Sequence, residues 1–288
     1  MRVVSLVPSA TEIIAALGLA GQLVGRSHEC NYPPEVQSAP IVSASRIDTS
    51  AIPSAQIDRA VRDALADGRP LYAIDAELLE SLAPDLIVTQ DLCEVCAVPS
   101  GDVERLVHVD VETISLDPRD LAEIEESIRT IARHMHAAGP GELLAQDMHN
   151  RIDDVRQLVR GLPRPRVFVA EWLDPPFAAG HWVPEMVSLA GGDEVLGRAR
   201  ERSFETSWDA VRNAAPQVIV LAPCGFDLER TVSEAGSVPA MGARVVAVDG
   251  DAAYSRPGPR VAEGVAQLAH LLHPDDVAPS ALPSRELA

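Results

Sequence analysis

The stretch Val3-Val4-Ser5-Leu6-Val7-Pro8-Ser9-Ala10-Thr11-Glu12-Ile13-Ile14-Ala15-Ala16-Leu17-Gly18 decides the fold class. The short apolar run from Val3 to Val7 suits a strand buried on both faces of a parallel sheet. Pro8 halts it. Ser9 and Glu12 then stand at capping-box spacing. Ile13, Ile14 and Leu17 give the following helix an apolar face, and Gly18 ends it. Leu23-Val24-Gly25 is the next strand, so the chain opens β-α-β. His28 to Pro34 follow as a loop, because Pro33-Pro34 excludes both helix and central strand.

Working outward, the same alternation continues. The patterning predicts helices over 57–65 and 76–82, a strand over 86–89, a cysteine-bearing loop over 91–99, a helix over 103–106 and a strand over 109–114. Residues 118–162 have helical spacing throughout, punctuated by Gly139-Pro140-Gly141. The second helix of that stretch, 142–159, would be roughly 27 Å long, enough to bridge two domains. After Pro163 the alternation restarts with a strand over 167–170, helices over 183–189 and 208–214, strands over 218–221 and 245–248, and a closing helix over 260–272. The expected organisation is α/β: two Rossmann-like lobes with mostly parallel sheets, joined by a single long α-helix. The boundaries read as an N-terminal lobe over 1–138, a connecting helix over 139–162, a C-terminal lobe over 163–273 and a loose tail over 274–288.

Composition limits the partners. In 288 residues, 43 acidic side chains face 24 basic ones, all of them Arg, for a net charge of −19. That balance argues against nucleic acid, whose readers carry a basic patch, and against docking on an anionic membrane. No apolar run approaches the roughly 18 residues that span a bilayer, so no membrane insertion is expected. Met1-Arg2 runs straight into the first strand, which leaves no room for a signal-peptide core. The expectation from this is a cytoplasmic protein whose four cysteines are thiols or metal ligands rather than disulfides.

In open α/β sheets ligands bind beyond the carboxyl ends of the strands, and polar and aromatic residues gather there. Tyr32, Trp172, Phe177, Trp182 and Tyr254 are candidate ligand contacts in a chain whose aromatic share is only 3%, because aromatics offer large rigid contact area. Arg256 joins them after the last strand. His181, in Gly180-His181-Trp182 before a helix, could meet an anion at the helix start. Cys93-x-x-Cys96, with His28-x-Cys30 on a neighbouring loop and Cys224 further on, could hold zinc or an iron–sulfur cluster, or work as redox thiols. The plain alternative is a set of small buried hydrophobes. A thiol enzyme, with Cys224 as nucleophile, His28 or His181 as base and Glu171 as orienter, is a further alternative. No nucleophile elbow, phosphate-cradling loop or His-Glu-x-x-His is present, so the primary expectation is a protein that is not an enzyme.

The opening Val4-Ser5-Leu6-Val7-Pro8-Ser9-Ala10-Thr11-Glu12 resembles the N-terminal signature of periplasmic-binding-protein-like proteins for iron-siderophores and cobalamin, the class with a helical backbone. So do the Tyr32-Pro33-Pro34 loop, Leu82-Ala83-Pro84-Asp85-Leu86-Ile87-Val88, Pro175-Pro176-Phe177 and Leu189-Ala190-Gly191-Gly192. The similarity runs from about residue 2 to 272 and is greatest to the cobalamin-binding branch, here without a signal peptide. The resemblance implies a corrinoid (cobalamin-like) ligand held in the cleft between two lobes, with Tyr32 and Trp172 against its faces. It also implies an ABC transporter as partner, with Glu77, Glu80 and Glu205 as candidate docking acids. The four cysteines depart from the exported members of that branch.

Overall fold

The computed structural model describes residues 1–50, 52–91, 101 and 111–287. The chain divides into two compact units, the first built mainly from residues 1–52, 59–118 and 125–145, the second mainly from 146–288. Short segments 53–58 and 119–124 belong to the second unit.

The first unit holds a four-stranded parallel sheet in the order β2-β1-β5-β6. Its strands are β1 (Val3–Ser5), β2 (Leu23–Arg26), β5 (Leu86–Thr89) and β6 (Glu112–Ser115). Val3 registers with Leu23 on one side and Leu86 on the other. The two inner strands are buried along their whole length, as expected for an apolar run covered on both faces. A separate antiparallel pair, β3 (Ser43–Ser45) with β4 (Tyr72–Ile74), lies outside this sheet. Val4, Leu6, Val42, Leu79 and Ile87 form the core, with Tyr72 and Ile74 packed against it. The first helix, Pro8–Ala16, has its N-cap at Val7 and so starts two residues earlier than the capping-box reading, with Ser9 as cap, placed it. Pro8 takes the first helical position, where no N–H is needed, and no side chain caps the end. Ser9 and Glu12 are buried instead.

In the second unit β7 (Arg166–Leu173), β11 (Val218–Leu221) and β12 (Arg244–Val248) run parallel, with Phe168 registered on Ile219 and Ile219 on Val245. The sheet is extended by antiparallel strands that the sequence reading missed. These are β8 (Pro176–Ala178) and β10 (Phe204–Glu205) on one side, and β13 (Ser284–Leu287) on the other. The short β9 (Asp193–Glu194) pairs parallel with β7. The expected loose tail is corrected at β13. Its backbone pairs with β12 from Val245↔Leu287 to Val248↔Ser284, and Arg285 reaches Glu229. Main-chain pairing on an open edge needs no apolar pattern, which is why composition hid it.

Helix Ala138–Leu158 has 21 residues, about 31 Å, and runs from the first unit into the second. Gly139-Pro140-Gly141 sits in its first turn rather than before it, since Pro is tolerated there. The true break is the turn at His136, whose φ is +57°. Two α/β lobes are thus present, a long helix passing from the first into the second, with a first sheet wholly parallel and a second one mixed. No described helix is long and apolar enough to cross a membrane.

Candidate functional site

In the first unit the loop after β2 carries the candidates. Arg26 ends that strand, and its buried guanidinium donates to the carbonyls of Ala39 at 3.1 Å, Cys30 at 3.0 Å, Ser27 at 3.3 Å and Gln37 at 3.4 Å. One charged fork therefore ties both arms of the loop that presents Tyr32, which is 44% exposed. The Tyr32-Pro33 peptide is cis. Sequence reasoning overlooked Arg26. The available signal was a charge at the end of an otherwise buried strand.

Cys30 is fully buried, and its thiol donates to the Ser5 carbonyl at 3.7 Å. His28 Nδ1 lies 3.1 Å from Ser43 Oγ, and Nε2 lies 3.3 Å from a Glu29 carboxylate oxygen. Its ring rests against Tyr72 with centroids 5.8 Å apart.

In the second unit, β7 and β8 bring Trp172 and Phe177 directly opposite each other, so their side chains share one face. Trp172 also packs on Phe226, with ring centroids 5.1 Å apart and tilted by 56°. The Arg230 guanidinium stands 3.9 Å over the other ring's centre, on Phe226, within cation–π range. The Trp172 indole N–H is buried and meets no acceptor. Phe226 and Arg230 were not among the sequence candidates, although Phe226 lies in the loop after the β11 strand. Cys224, half-buried, shares that loop, and its backbone N–H donates to the Glu171 carbonyl at 3.1 Å.

The remaining candidates divide. His181 has φ +49°. The preceding Gly180 is fastened by its N–H to a Glu171 carboxylate oxygen at 3.2 Å, and His181 itself donates its N–H to Glu201 O at 2.6 Å. Burial, then the charges of Arg202 and Arg119, hold the imidazole pKa below its ordinary value. Trp182 and Tyr254, expected at a ligand face, are instead core residues at 4% and 1% exposure. The Trp182 indole donates to Tyr254 O at 2.9 Å, and the Tyr254 hydroxyl donates to Gln267 at 2.8 Å. Their polar ends are satisfied inside the protein, as buried Trp and Tyr require. Arg256 is buried too, paired through Nε with Asp251 at 3.0 Å.

Among the described residues no group of three or more His, Cys, Asp or Glu is placed to hold a metal ion. Cys93 and Cys96 lie outside the described residues. Cys30 belongs to the first unit and Cys224 to the second. The described cysteines therefore lend no support to the zinc, iron–sulfur or thiol-enzyme alternatives.

Residues 3–237 match the model of a family described as periplasmic binding protein. A vitamin B12-binding protein of Vibrio cholerae is 25% identical over 276 residues, covering 93% of this chain and 87% of the relative. Among solved structures, a periplasmic heme-binding protein from Pseudomonas aeruginosa matches with a TM-score of 0.72 at 18% identity, covering 100% of this chain and 95% of that one. The periplasmic vitamin B12-binding protein of Vibrio cholerae matches with a TM-score of 0.66 at 23% identity, covering 94% and 96%. These two likenesses speak to the fold. The family match overturns the cytoplasmic placement. That placement rested only on the opening residues, and the family is extracytoplasmic. The argument for reduced thiols falls with it.

Proposed function

This chain belongs to the periplasmic binding protein family, and on that premise we propose that it is a non-enzymatic carrier of a corrinoid, cobalamin-like ligand. The observation that carries the reading is the Trp172 cluster. A half-buried Trp is flanked by Phe177 and Phe226, and its indole N–H lacks an acceptor. An orphaned buried donor costs about 1–3 kcal/mol. A ligand that is flat, wide and fringed with amide carbonyls would cover the rings and accept that N–H. Corrins have this form. Tyr32, exposed on a loop braced by Arg26, supplies a second aromatic contact surface in the first unit. The B12-binding relative supports the same ligand class. Handing the ligand to a membrane transporter belongs to this reading.

The test is titration with cyanocobalamin, cobinamide and hemin, followed by visible absorption and by heat. Cobalamin is expected to bind at tens of micromolar or tighter. Trp172→Leu should weaken it roughly tenfold, since an aromatic contact with its hydrogen bond contributes more than about 1.4 kcal/mol. Binding of hemin alone would replace the corrinoid with a porphyrin. No response to any macrocycle would overturn the proposal.

A further inference from the structure

Two arginines of the second unit stand without an acidic partner in a chain where acids outnumber arginines 43 to 24. Arg119 and Arg202 are exposed, and among the described residues neither guanidinium has a hydrogen bond or ion pair. Both border one loop. Gly180 packs directly against the backbone of Glu201, Arg202 and Ser203. His181 N–H donates to Glu201 O at 2.6 Å, and Arg200 N–H donates to His181 O at 2.9 Å. The 119–124 segment joins the same place, because Leu121 N–H donates to Glu185 Oε2 at 3.1 Å, four residues beyond His181.

The acids around this loop are already engaged. Glu201 pairs with Arg198 at 3.3 Å. Asp120 and Glu123 pair with Arg200, and Glu123 also accepts the Arg119 backbone N–H at 2.7 Å. Glu185 is bound to Leu121 N–H. What remains is two unpaired guanidinium groups and one imidazole, whose Nε2 is buried and meets no partner. The His181 backbone is held in the left-handed region, which a non-Gly residue adopts only when its surroundings impose it.

We propose that Arg119, His181 and Arg202 form an anion subsite in the second unit that takes a carboxylate or phosphate group carried by the bound ligand. Guanidinium forks match such groups in a bidentate way, and the imidazole Nε2 supplies a third donor once protonated. Burial first, and then the charges of Arg202 and Arg119, disfavour the protonated imidazole, so both guanidinium groups act on this ring. The inference deepens the carrier reading by naming a charged group on the ligand, and it rests on that reading only for the ligand's size.

The test uses the full chain with labelled histidine and follows the His181 imidazole by NMR against pH. Inorganic phosphate, acetate and chloride are added at matched ionic strength. Phosphate or acetate should raise the His181 pKa where chloride does not. Arg119→Gln with Arg202→Gln should weaken that response roughly tenfold, while Arg156→Gln, on an Asp153-paired surface arginine, should leave it unchanged. Absence of an anion-specific shift, or an equal shift in the double variant, would overturn the subsite. These arms need no macrocycle, so their failure is separable from failure of the corrinoid reading. A second arm compares cobalamin, which carries a phosphodiester, with cobinamide, which lacks the nucleotide loop. If the phosphodiester is the anion, the double variant should weaken cobalamin alone. An equal loss for both ligands, neither of which carries any other acidic group, would overturn the subsite as a contact to an anion on the ligand.

Discussion

The guanidinium of Arg26 holds four carbonyl oxygens of the loop that carries Tyr32. Replacing it with Met keeps the aliphatic stem but strands those carbonyls at a buried position. A hydrogen bond to a charged group contributes about 1.5–3 kcal/mol net, and such bonds on one group are not additive, so Arg26→Met should lower unfolding stability by about 3 kcal/mol in denaturant titration. A loss under about 0.5 kcal/mol would mean the loop holds its shape unaided. The same scale explains where reading residues from sequence succeeds and fails. Trp172 and Tyr32 were legible as aromatics at strand ends, and both have accessible surface. Trp182 and Tyr254 carried the same signal, yet each finds its polar partner inside the lobe. Which way a side chain turns at a strand end depends on partners distant in sequence, such as Gln267 for Tyr254. Local pattern holds no record of them.

At the scale of elements, the two helices before the second lobe meet through small residues. A Cβ on Gly141 would overlap the Cβ of Ala132 on helix Leu121–His134, and Arg129 bridges the same pair to Glu142 at 2.8 Å. In an exposed helix, Gly→Ala stabilises by about 0.5–1 kcal/mol. Here the sign should reverse, because overpacking a close contact costs about 1–3 kcal/mol. Thermal unfolding of Gly141→Ala checks it, and a raised Tm would show that the helices yield without cost. Parallel strands such as Leu86–Thr89 were read from sequence to the residue, because burial on both faces demands an unbroken apolar run. The antiparallel additions were not. Pro176–Ala178, between β7 and β10, and Ser284–Leu287, at the edge beside β12, are short elements held by main-chain bonds, and main-chain bonds leave no side-chain pattern to read. Gly139-Pro140-Gly141 misled for a related reason. The motif signals a break, but a helix's first turn tolerates it.

At the scale of the whole molecule, a chain of net charge −19 changes stability with pH through its many exposed carboxylates, yet one half-buried acid should set a distinct slope. Glu194 accepts N–H groups from Val169 at 3.1 Å, Leu196 at 3.1 Å and Gly197 at 3.0 Å, joining β7 to the turn after β9. Those bonds favour the charged form, but burial outweighs them and pushes its pKa from 4.5 up to about 7. A raised carboxyl pKa means the folded state binds the proton more tightly than the unfolded chain. Its contribution is therefore fully present below about pH 4.5 and is lost as pH rises through about 7. With about 1.36 kcal/mol for each tenfold difference in proton affinity, the wild-type chain should lose about 2 to 3 kcal/mol from this group between pH 5 and pH 8. Glu194→Gln cannot titrate. The variant is expected to be less stable at low pH, because its amide N–H₂ must face a backbone N–H. The discriminating quantity is the slope: denaturant unfolding at pH 5 and pH 8 should show wild type losing about 2 to 3 kcal/mol more than the variant. Parallel pH profiles would place the Glu194 carboxylate in contact with water and remove burial as the cause of its high pKa.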